Sequence, residues 1–322
     1  MSGTFAADWP QWRGPEGTAV SAEKGVPIVW HEQRSIMWKC PLPEWGTSTP
    51  VIWSDAIFVT THTAEDKLLL LRIDKKQGAI MWTQEVGAGT AERDGPKRHP
   101  QKVHKFYSPA SPSPVTDGKV VVAHFGNGDL AAYDFGGQQL WKRNLQDDYG
   151  GYTSWYGHAN SPVIAGDAVI SVCMQDSLAD LQAKPIESYL VAHDLASGDV
   201  RWKVPRQTKA EKEEGDAYTT PLLANFHGVK QLIVMGGNQL DAYDPVSGRQ
   251  LWFLPGQTGG RTVTGPTVGK DMIFATRGLR GPLIAVRPKP AGEMNFRDIA
   301  WSYSEGTPDS CCPLVWNELL FT

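Results

Sequence analysis

A repeated string that ends in Trp is the feature that most constrains how this chain folds. Six of the 13 Trp in the 322 residues share the same local context. By subtraction, successive members lie 44, 59, 61, 50 and 49 residues apart, and they are Trp38, Trp82, Trp141, Trp202, Trp252 and Trp301. A unit that recurs at this spacing indicates a repeat protein, in which one supersecondary element is stacked many times.

Four of these Trp close a longer string that contains an Asp and a Gly turn. The Asp lies eight residues before Trp82, Trp202 and Trp252, and seven before Trp141. An Asp side chain can accept hydrogen bonds from backbone N–H groups of the turn that follows, and Gly permits the backbone of that turn. We therefore assign a structural role to the six Trp and to Asp74, Gly78, Asp134, Asp194, Gly198, Asp244 and Gly248.

Each unit begins with a small residue and a Pro, followed by a short apolar run. The copies read STPVIW, SPSPVT, NSPVIA, TTPLLA, TGPTVG and CCPLVW. Pro is tolerated at the start of a strand, and pairs such as DG and GD then separate one strand from the next. The unit predicts four short antiparallel strands in about 45 residues, which is the pattern of a β-propeller blade. The expected fold class is all-β, with the Trp of each fourth strand packed between neighbouring blades.

The string A-x-D, turn, Gly, x-x-x-Trp resembles the repeat of the pyrroloquinoline-quinone-type (PQQ-like) β-propellers. The opening DWPQWRGP, from Asp8 to Pro15, is similar to the start of a PQQ-like group of bacterial secreted proteins. The family includes quinoprotein alcohol dehydrogenases and the propeller lipoprotein of the outer-membrane β-barrel assembly machinery, so the resemblance specifies the fold rather than the function. It also implies a periplasmic or extracellular location.

The number of units predicts an incomplete ring of seven or eight blades. Five units are complete, a sixth begins at Cys311, and Trp38 is expected on a strand that closes a blade from the opposite end of the chain. The propeller is assigned to residues 26–322 and an N-terminal segment to residues 1–25. Within that segment, the small residues of Phe5–Ala7 are similar to the end of a secretory signal peptide.

Charge and composition exclude several classes of protein. The chain has 31 Lys and Arg against 35 Asp and Glu, and this balance leaves no basic surface for nucleic acid. No apolar stretch approaches the ~18 residues of a membrane-spanning helix. The four Cys do not follow zinc-site spacing, and the sequence contains neither a G-x-S-x-G elbow nor a phosphate-binding Gly loop. No catalytic residue is nominated.

Long loops that lead into the innermost strands are the expected functional surface. Gly87–Tyr107 contains His99 and His104, which are five residues apart on a loop and are not expected to ligate metal, and Asp147–His158 is rich in aromatic residues. Lys209–Asp216 is expected to be a solvated charge run, and the segment 174–187 is expected to form a short helix. Aromatic rings and a neighbouring His can hold a planar or sugar-like ligand, although the same rings can instead pack the loop onto the blades. The candidate ligand residues are His104, Tyr107, Tyr152, Trp155, Tyr156, His158 and Arg261.

Cys311 and Cys312 are further candidate ligand residues, because the resemblance implies a possible cofactor. Quinoprotein dehydrogenases carry a disulfide between adjacent cysteines against their PQQ. Adjacent Cα atoms lie ~3.8 Å apart, less than the ~4.4 Å at which ordinary disulfides begin, so such a bond is strained. In this chain, however, the pair occupies the position just before an innermost-strand Pro. A redox or cofactor role and a role as small apolar fillers both stay open, the second being common for reduced Cys.

The sequence therefore favours a non-catalytic binding or assembly scaffold outside the cytoplasm, with ligand or protein contacts on the face of the long loops. The alternative is a PQQ- and calcium-dependent quinoprotein dehydrogenase that acts on an alcohol or a sugar. No transmembrane segment and no nucleic-acid partner are expected, and the identity of the ligand or protein partner is left open.

Overall fold

The computed structural model describes residues 7–89, 92–94, 100–102, 104–175 and 187–322. These residues form a nearly all-β protein, as predicted, in which consecutive strands pair into separate antiparallel sheets. The strands of the first three sheets follow one another along the chain. Sheet 1 contains β1 (Val51–Trp53), β2 (Ala56–His62), β3 (Lys67–Asp74) and β4 (Ile80–Ala88). Sheet 2 contains β7 (Val115–Thr116), β8 (Val120–His124), β9 (Asp129–Asp134) and β10 (Gln139–Asn144). Sheet 3 contains β11 (Val163–Ala165), β12 (Ala168–Cys173), β13 (Ser188–Asp194) and β14 (Val200–Arg206).

Three more sheets complete the series. Sheet 4 contains β15 (Leu222–Phe226), β16 (Val229–Gly236), β17 (Gln239–Tyr243) and β18 (Gln250–Pro255). Sheet 5 contains β19 (Thr267–Gly269), β20 (Met272–Thr276), β21 (Leu283–Val286) and β23 (Ile299–Tyr303). Sheet 6 contains β24 (Leu314–Trp316) and β25 (Leu319–Phe321). The four-strand unit predicted from the repeat is therefore confirmed, whereas the total number of blades stays a prediction.

The remaining elements lie in connections between these strands. Between β4 and β7, β5 (Glu92–Asp94) and β6 (Pro100–Lys102) form a two-stranded sheet. The short strand β22 (Gly292–Glu293) pairs in parallel with β18, so it adds a fifth strand to sheet 4. Helix α1 (Leu145–Tyr149) follows β10, and two 3-10 helices span Lys212–Gly215 and Phe296–Asp298. No helix in the described ranges is both long and apolar enough to cross a membrane.

A β-bulge precedes the repeated Trp in five of the sheets. In sheet 3, Trp202 pairs with Ala192, but the next pair joins Val200 to His193, so Arg201 is an extra residue. The same register shift occurs one residue before the Trp of sheets 1, 2, 4 and 5. A bulge bends the strand and redirects a side chain, and here it accompanies the Trp that faces the next sheet.

The repeated Trp connects neighbouring sheets by a recurring contact. The Trp141 indole Nε1 donates to the Leu195 carbonyl at 2.9 Å, and a Cβ atom at Gly198 would lie 2.6 Å from the Trp141 ring. Leu195 and Gly198 belong to the Asp–Gly turn of the next sheet. The equivalent donors and acceptors in the other copies are Trp38 with Lys75, Trp82 with Phe135, and Trp202 with Pro245.

Two of the repeated Trp depart from the sequence prediction. Trp38 makes its contact from a segment without assigned strand structure, since no strand pairs with residues 36–40 in the described part of the chain. The expected closing strand is therefore not formed there. Trp252 donates to the side chain of Gln231 at 2.8 Å, because the loop of sheet 5 that follows β21 lacks the Asp–Gly turn.

The hydrophobic core lies between successive sheets. Sheets 1 and 2 share one buried cluster, and similar clusters join sheets 2 and 3, 3 and 4, and 4 and 5. The first strands of successive sheets are also neighbours: β1 contacts β7, β7 contacts β11, β11 contacts β15, and β19 contacts β24. These first strands therefore line a common channel. Residues of the N-terminal segment enter this channel, with Trp12 next to Leu222 and Pro266.

Candidate functional site

The aromatic loop after α1 is fixed to the loop that leads into sheet 4. The backbone N–H of Trp155 donates to Asp216 Oδ2 at 3.1 Å, and the backbone N–H of Tyr156 donates to Tyr218 Oη at 3.0 Å. Tyr218 Oη in turn donates to Asp216 Oδ2 at 2.9 Å. Asp216 is only 1% exposed, so a buried carboxylate and a phenol position two loops that lie about 60 residues apart in the sequence.

A cavity of about 320 Å³ lies between these loops, and Trp155, Tyr156, Glu213 and Asp216 line it. Trp155 is 46% exposed, which is unusual for so large an apolar side chain. The volume is close to the lower end of the ~300–1,000 Å³ typical of ligand pockets. The combination of aromatic faces with carboxylates is suited to holding a small group of a ligand or partner.

Two Arg side chains balance the charge of this cavity. The Arg93 guanidinium lies 4.4 Å from the centre of the Trp155 ring, and the Arg261 guanidinium lies 5.5 Å from the centre of the Tyr156 ring. Arg261 also forms an ion pair with Glu213 at 3.1 Å. The His104 ring also lies next to Tyr156, with 4.8 Å between the centres of the two rings. Four predicted candidates, His104, Trp155, Tyr156 and Arg261, are thus brought together.

The structure buries two other candidates beneath the loop. Tyr152 is 2% exposed and His158 is 4% exposed, and their rings stack at 4.8 Å. His158 Nε2 lies 3.2 Å from His124 Nδ1, and His124 Nε2 lies 3.2 Å from Tyr152 Oη, so two hydrogen bonds and the stacked rings join the three side chains in a triangle. These side chains pack the loop onto sheet 2, so the structure does not place Tyr152 and His158 at the cavity with the other candidates.

Burial also determines the protonation of this triangle. It lowers the pKa of His158 to about 4 and lowers the pKa of His124 well below its ordinary value, where the neighbouring His158 contributes further. Both imidazoles are therefore neutral at pH 7. Tyr107 supports the same region, because its hydroxyl donates to the His158 carbonyl at 2.7 Å and its ring occupies space next to Gly126 and Gly157.

Sequence reasoning missed part of the site because burial depends on neighbouring loops. The run Lys209–Asp216 was expected to be solvated, but it ends in a 3-10 helix and its last two residues are buried. Asp216, Tyr218 and Arg93 carried no motif that nominated them. The two acidic residues of the run that line the cavity differ in exposure, Glu213 being exposed and Asp216 buried. His99 lies outside the described residues, and so do residues 176–186 of the segment 174–187 that was expected to form a short helix.

Cys312 takes part in a series of hydrogen bonds that connects the innermost strands. The residue before the first-strand Pro in one sheet donates its backbone N–H to the side chain at the same position of the next sheet. The members of this inner ladder are Thr49 to Ser113 (2.9 Å), Ser113 to Ser161 (2.9 Å), Ser161 to Thr220 (3.0 Å) and Gly265 to Cys312 (3.1 Å). The Cys312 sulfur thus takes the place of the hydroxyl oxygen found in the other sheets. Gly265 has no side chain, so it offers no side-chain acceptor to Thr220 of sheet 4.

This geometry adds a specific role to the small-filler interpretation of the cysteine pair. Both thiols are free, Cys311 being exposed and Cys312 partly buried. Burial raises the pKa of Cys312, and the nearby Arg13 lowers it to a smaller extent. The Cys312 thiol is therefore protonated at neutral pH and is held by the backbone of Gly265 rather than by its neighbour Cys311.

The N-terminal segment lies next to Cys312. Gly265, which binds Cys312, lies against the Trp12 ring. The space between Trp12 and the first residues of sheet 4 measures about 10 Å³, which is enough for one water molecule. Within the ranges that the structure describes, no group of three His, Cys, Asp or Glu side chains is placed to hold a metal ion.

Solved structures with the same fold include BamB and quinohemoprotein alcohol dehydrogenases. BamB from Moraxella catarrhalis has a TM-score of 0.54 and 13% identity, with 86% of this chain and 69% of that protein covered. Quinohemoprotein alcohol dehydrogenase from Comamonas testosteroni has a TM-score of 0.61 and 14% identity, with 88% and 48% covered. Quinohemoprotein alcohol dehydrogenase ADHIIG from Pseudomonas putida HK5 has a TM-score of 0.61 and 12% identity, with 92% and 48% covered. The chain spans about half the length of these dehydrogenases.

At 12–14% identity these likenesses establish the fold alone. No curated protein matches the sequence significantly. A family model described as outer membrane protein assembly factor BamB, built on PQQ-like repeats, matches residues 13–185, which is more than half of the chain. The chain therefore belongs to this family of PQQ-like β-propellers.

Proposed function

We propose that this protein is a non-catalytic binding or assembly scaffold that acts outside the cytoplasm, and that the cavity on its long-loop face contacts a partner polypeptide. The observation that carries the proposal is the half-exposed Trp155 at the cavity, held by the backbone bond to the buried Asp216. A large aromatic side chain that is already fixed in place loses little entropy on binding, and such residues dominate the energy of protein interfaces.

The charge around the cavity indicates what kind of group it accepts. Asp216 and Glu213 are offset by Arg93 and Arg261, and the Arg261–Glu213 pair is already formed. A strongly charged group of either sign would therefore meet repulsion from one of these pairs as well as attraction from the other. An uncharged side chain or loop of a partner, stacked on Trp155 and hydrogen-bonded by the carboxylates, is the better match.

Two further points support a scaffold. The family model is named for an assembly factor, and a BamB structure has the same fold. In addition, the Cys312 sulfur accepts the Gly265 N–H in the inner ladder, which supports a structural role for Cys312. The extracytoplasmic location is part of the proposal and rests on the resemblance to exported propellers.

Site-specific photocrosslinking tests the proposal. A benzophenone amino acid replaces Glu213 at the cavity or, as a control, Asp271 on the β19–β20 turn, because both side chains are 59% exposed. We expect a discrete crosslinked polypeptide from cell-envelope extract at position 213 and none at position 271. The product should disappear when Trp155→Ala is added.

Three outcomes would contradict the scaffold. Equal products at positions 213 and 271, or a product that survives Trp155→Ala, would mean that the cavity does not determine binding. Quinone absorbance that stays with the protein after titration with PQQ and Ca²⁺, together with dye-linked oxidation of an alcohol, would establish the dehydrogenase instead.

A further inference from the structure

The motif Asp8–Pro15 is not used by the long-loop site, and the structure shows it bound to the innermost strands. Trp9 forms an isolated antiparallel bridge with Ile52, in which each backbone N–H donates to the other residue's carbonyl at 2.8 Å. The Ser54 N–H donates to Asp8 Oδ1 at 2.6 Å, and the Thr116 N–H donates to the Pro10 carbonyl at 2.9 Å. The first half of the segment therefore binds at the ends of β1 and β7, whereas the long loop Gly87–Tyr107 leads into the start of β7.

Arg13 continues this contact deep into the channel. Its side chain is buried, with 7% exposed, and it donates to the Pro266 carbonyl at 3.2 Å and to the Pro313 carbonyl at 2.6 Å. These acceptors are 253 and 300 residues away in sequence, at the starts of sheets 5 and 6. A planar guanidinium can serve several carbonyls at once, which an ammonium cannot do in the same geometry.

The backbone around Arg13 is shaped for this insertion. Gly14 has φ +78°, and a Cβ atom there would lie 2.8 Å from the Trp9 ring, so the chain turns back over its own Trp. Gly17 is similarly close to Leu222, where an added Cβ would meet the side chain at 2.3 Å. Both glycines of the RGPEG stretch are thus required by close approaches, one within the segment and one to sheet 4.

We propose that the innermost strands form a peptide-binding site that runs from the ends of β1 and β7 to the starts of β19 and β24, and that Asp8–Thr18 occupies it as a ligand carried by the same chain. The site takes a peptide with two Trp and one Arg that is extended at Trp9 and turns between Gln11 and Gly14. Backbone bonds to Ile52 and Thr116 hold its first half, and the guanidinium binding to Pro266 and Pro313 holds its second half. This site is separate from the cavity at Trp155 and goes beyond the proposed function.

Arg13 is the residue on which occupancy depends. Burial lowers its guanidinium pKa, which records a desolvation cost that the carbonyl contacts must offset. Without this side chain the segment is no longer attached to sheets 5 and 6. The Pro313 carbonyl then accepts only the hydrogen bond that Thr267 Oγ1 donates, at 2.6 Å. The segment is then held only at its first half, and its bonds to Ile52 and Thr116 open more often.

Amide hydrogen exchange on the full chain measures this opening. In Arg13→Ala we expect exchange of the Ile52, Ser54 and Thr116 amides to become at least ~10-fold faster, because hydrogen bonds of a charged group are lost and the segment opens locally. The matched control is Arg72→Ala, which removes a partly buried Arg that donates to the Phe135 carbonyl at 2.9 Å without touching the segment. That variant should leave the Ile52 and Thr116 amides unchanged; the Ser54 amide is left out of this comparison, because Arg72 also pairs with the adjacent Asp55 at 3.6 Å.

A labelled peptide of residues 7–18, added in trans, then tests whether the vacated strands are a binding site. Its fluorescence anisotropy should rise saturably with Arg13→Ala and not with the wild type or Arg72→Ala, whose sites stay occupied. A peptide with Ala in place of its Arg should not bind. If Arg13→Ala does not fold, Arg13→Lys gives the same comparison, since Lys keeps the charge and loses the forked donors. Unchanged exchange in the Arg13 variant, no trans binding, or equal binding to all three proteins would overturn the proposal.

Discussion

Replacing Trp141 with Ala tests whether the repeated Trp holds neighbouring sheets together. Trp141 is 7% exposed and lies in the cluster between sheets 2 and 3. Truncating a buried aromatic side chain of this size costs about 3–5 kcal/mol of unfolding free energy. Part of that cost, about 1 kcal/mol, comes from the lost indole bond to the Leu195 carbonyl. We therefore expect Trp141→Ala to be strongly destabilised and Trp141→Phe to be closer to the wild type.

Trp301 provides the matched control, because it occupies the same repeat position at 39% exposure. Its neighbour in the structure is the Phe274 ring at 5.8 Å, so Trp301→Ala should cost only about 1–2 kcal/mol. Urea unfolding followed by circular dichroism measures all three variants without depending on Trp fluorescence. Equal losses for Trp141→Ala and Trp301→Ala, or a Trp141→Phe loss as large as that of Trp141→Ala, would refute the contact between sheets as the source of stability.

Two further predictions concern the inner ladder and the buried His triangle. Cys312→Ser should keep the stability of the wild type, because the Ser hydroxyl accepts the Gly265 N–H. Cys312→Ala should lose about 1–3 kcal/mol of unfolding free energy, because that buried N–H is left unpaired. Equal thermal midpoints for the two variants would contradict a role of Cys312 in the inner ladder. The pKa of His158 is about 4 in the folded protein and ~6.5 in the unfolded chain. The contribution of neutral His158 to the free energy of unfolding is therefore fully present above pH ~6.5 and is lost as the pH falls to about 4. Wild type should therefore lose about 3 kcal/mol more than His158→Gln over that interval in pH-dependent urea unfolding, and parallel curves would show that His158 is not buried in neutral form.

The repeat predicted those parts of the fold that depend on residues close in sequence. Asp74 accepts the backbone N–H groups of Lys76 and Gln77, and Asp194 those of Ala196 and Ser197, as the Asp–Gly turn requires. These contacts lie within a few residues, so composition and spacing contain all the information needed. The strand pairing follows in the same way, since each tight turn places the next strand beside the previous one.

The candidate site was predictable only in part, because its exposure is set by residues distant in the chain. Trp155 and Tyr152 lie three residues apart in the same aromatic loop, yet one lines a cavity and the other lies in the core. The two residues differ in their partners. The Trp155 N–H donates to the buried carboxylate of Asp216, whereas the Tyr152 hydroxyl is hydrogen-bonded to the imidazole of His124. Neither partner has a local sequence signal. The Ser or Thr before the strand-starting Pro of sheets 1 to 4 was such a signal for the inner ladder, and Cys312 occupies the same position in sheet 6.

The inner ladder also explains how a cavity between loops keeps a fixed shape. Ser161 lies five residues after Tyr156, and Thr220 lies four residues after Asp216, so the bond from the Ser161 N–H to Thr220 Oγ1, at 3.0 Å, joins the two loops just beneath the cavity. The Trp155–Asp216 bond joins them again at its edge. Because each loop is attached to the other at both positions, a shift of sheet 3 against sheet 4 would have to break both bonds before Trp155 moved away from Asp216. The geometry offered to a partner is therefore a property of the contact between sheets, and a substitution in the ladder is expected to alter the cavity without touching any residue that lines it.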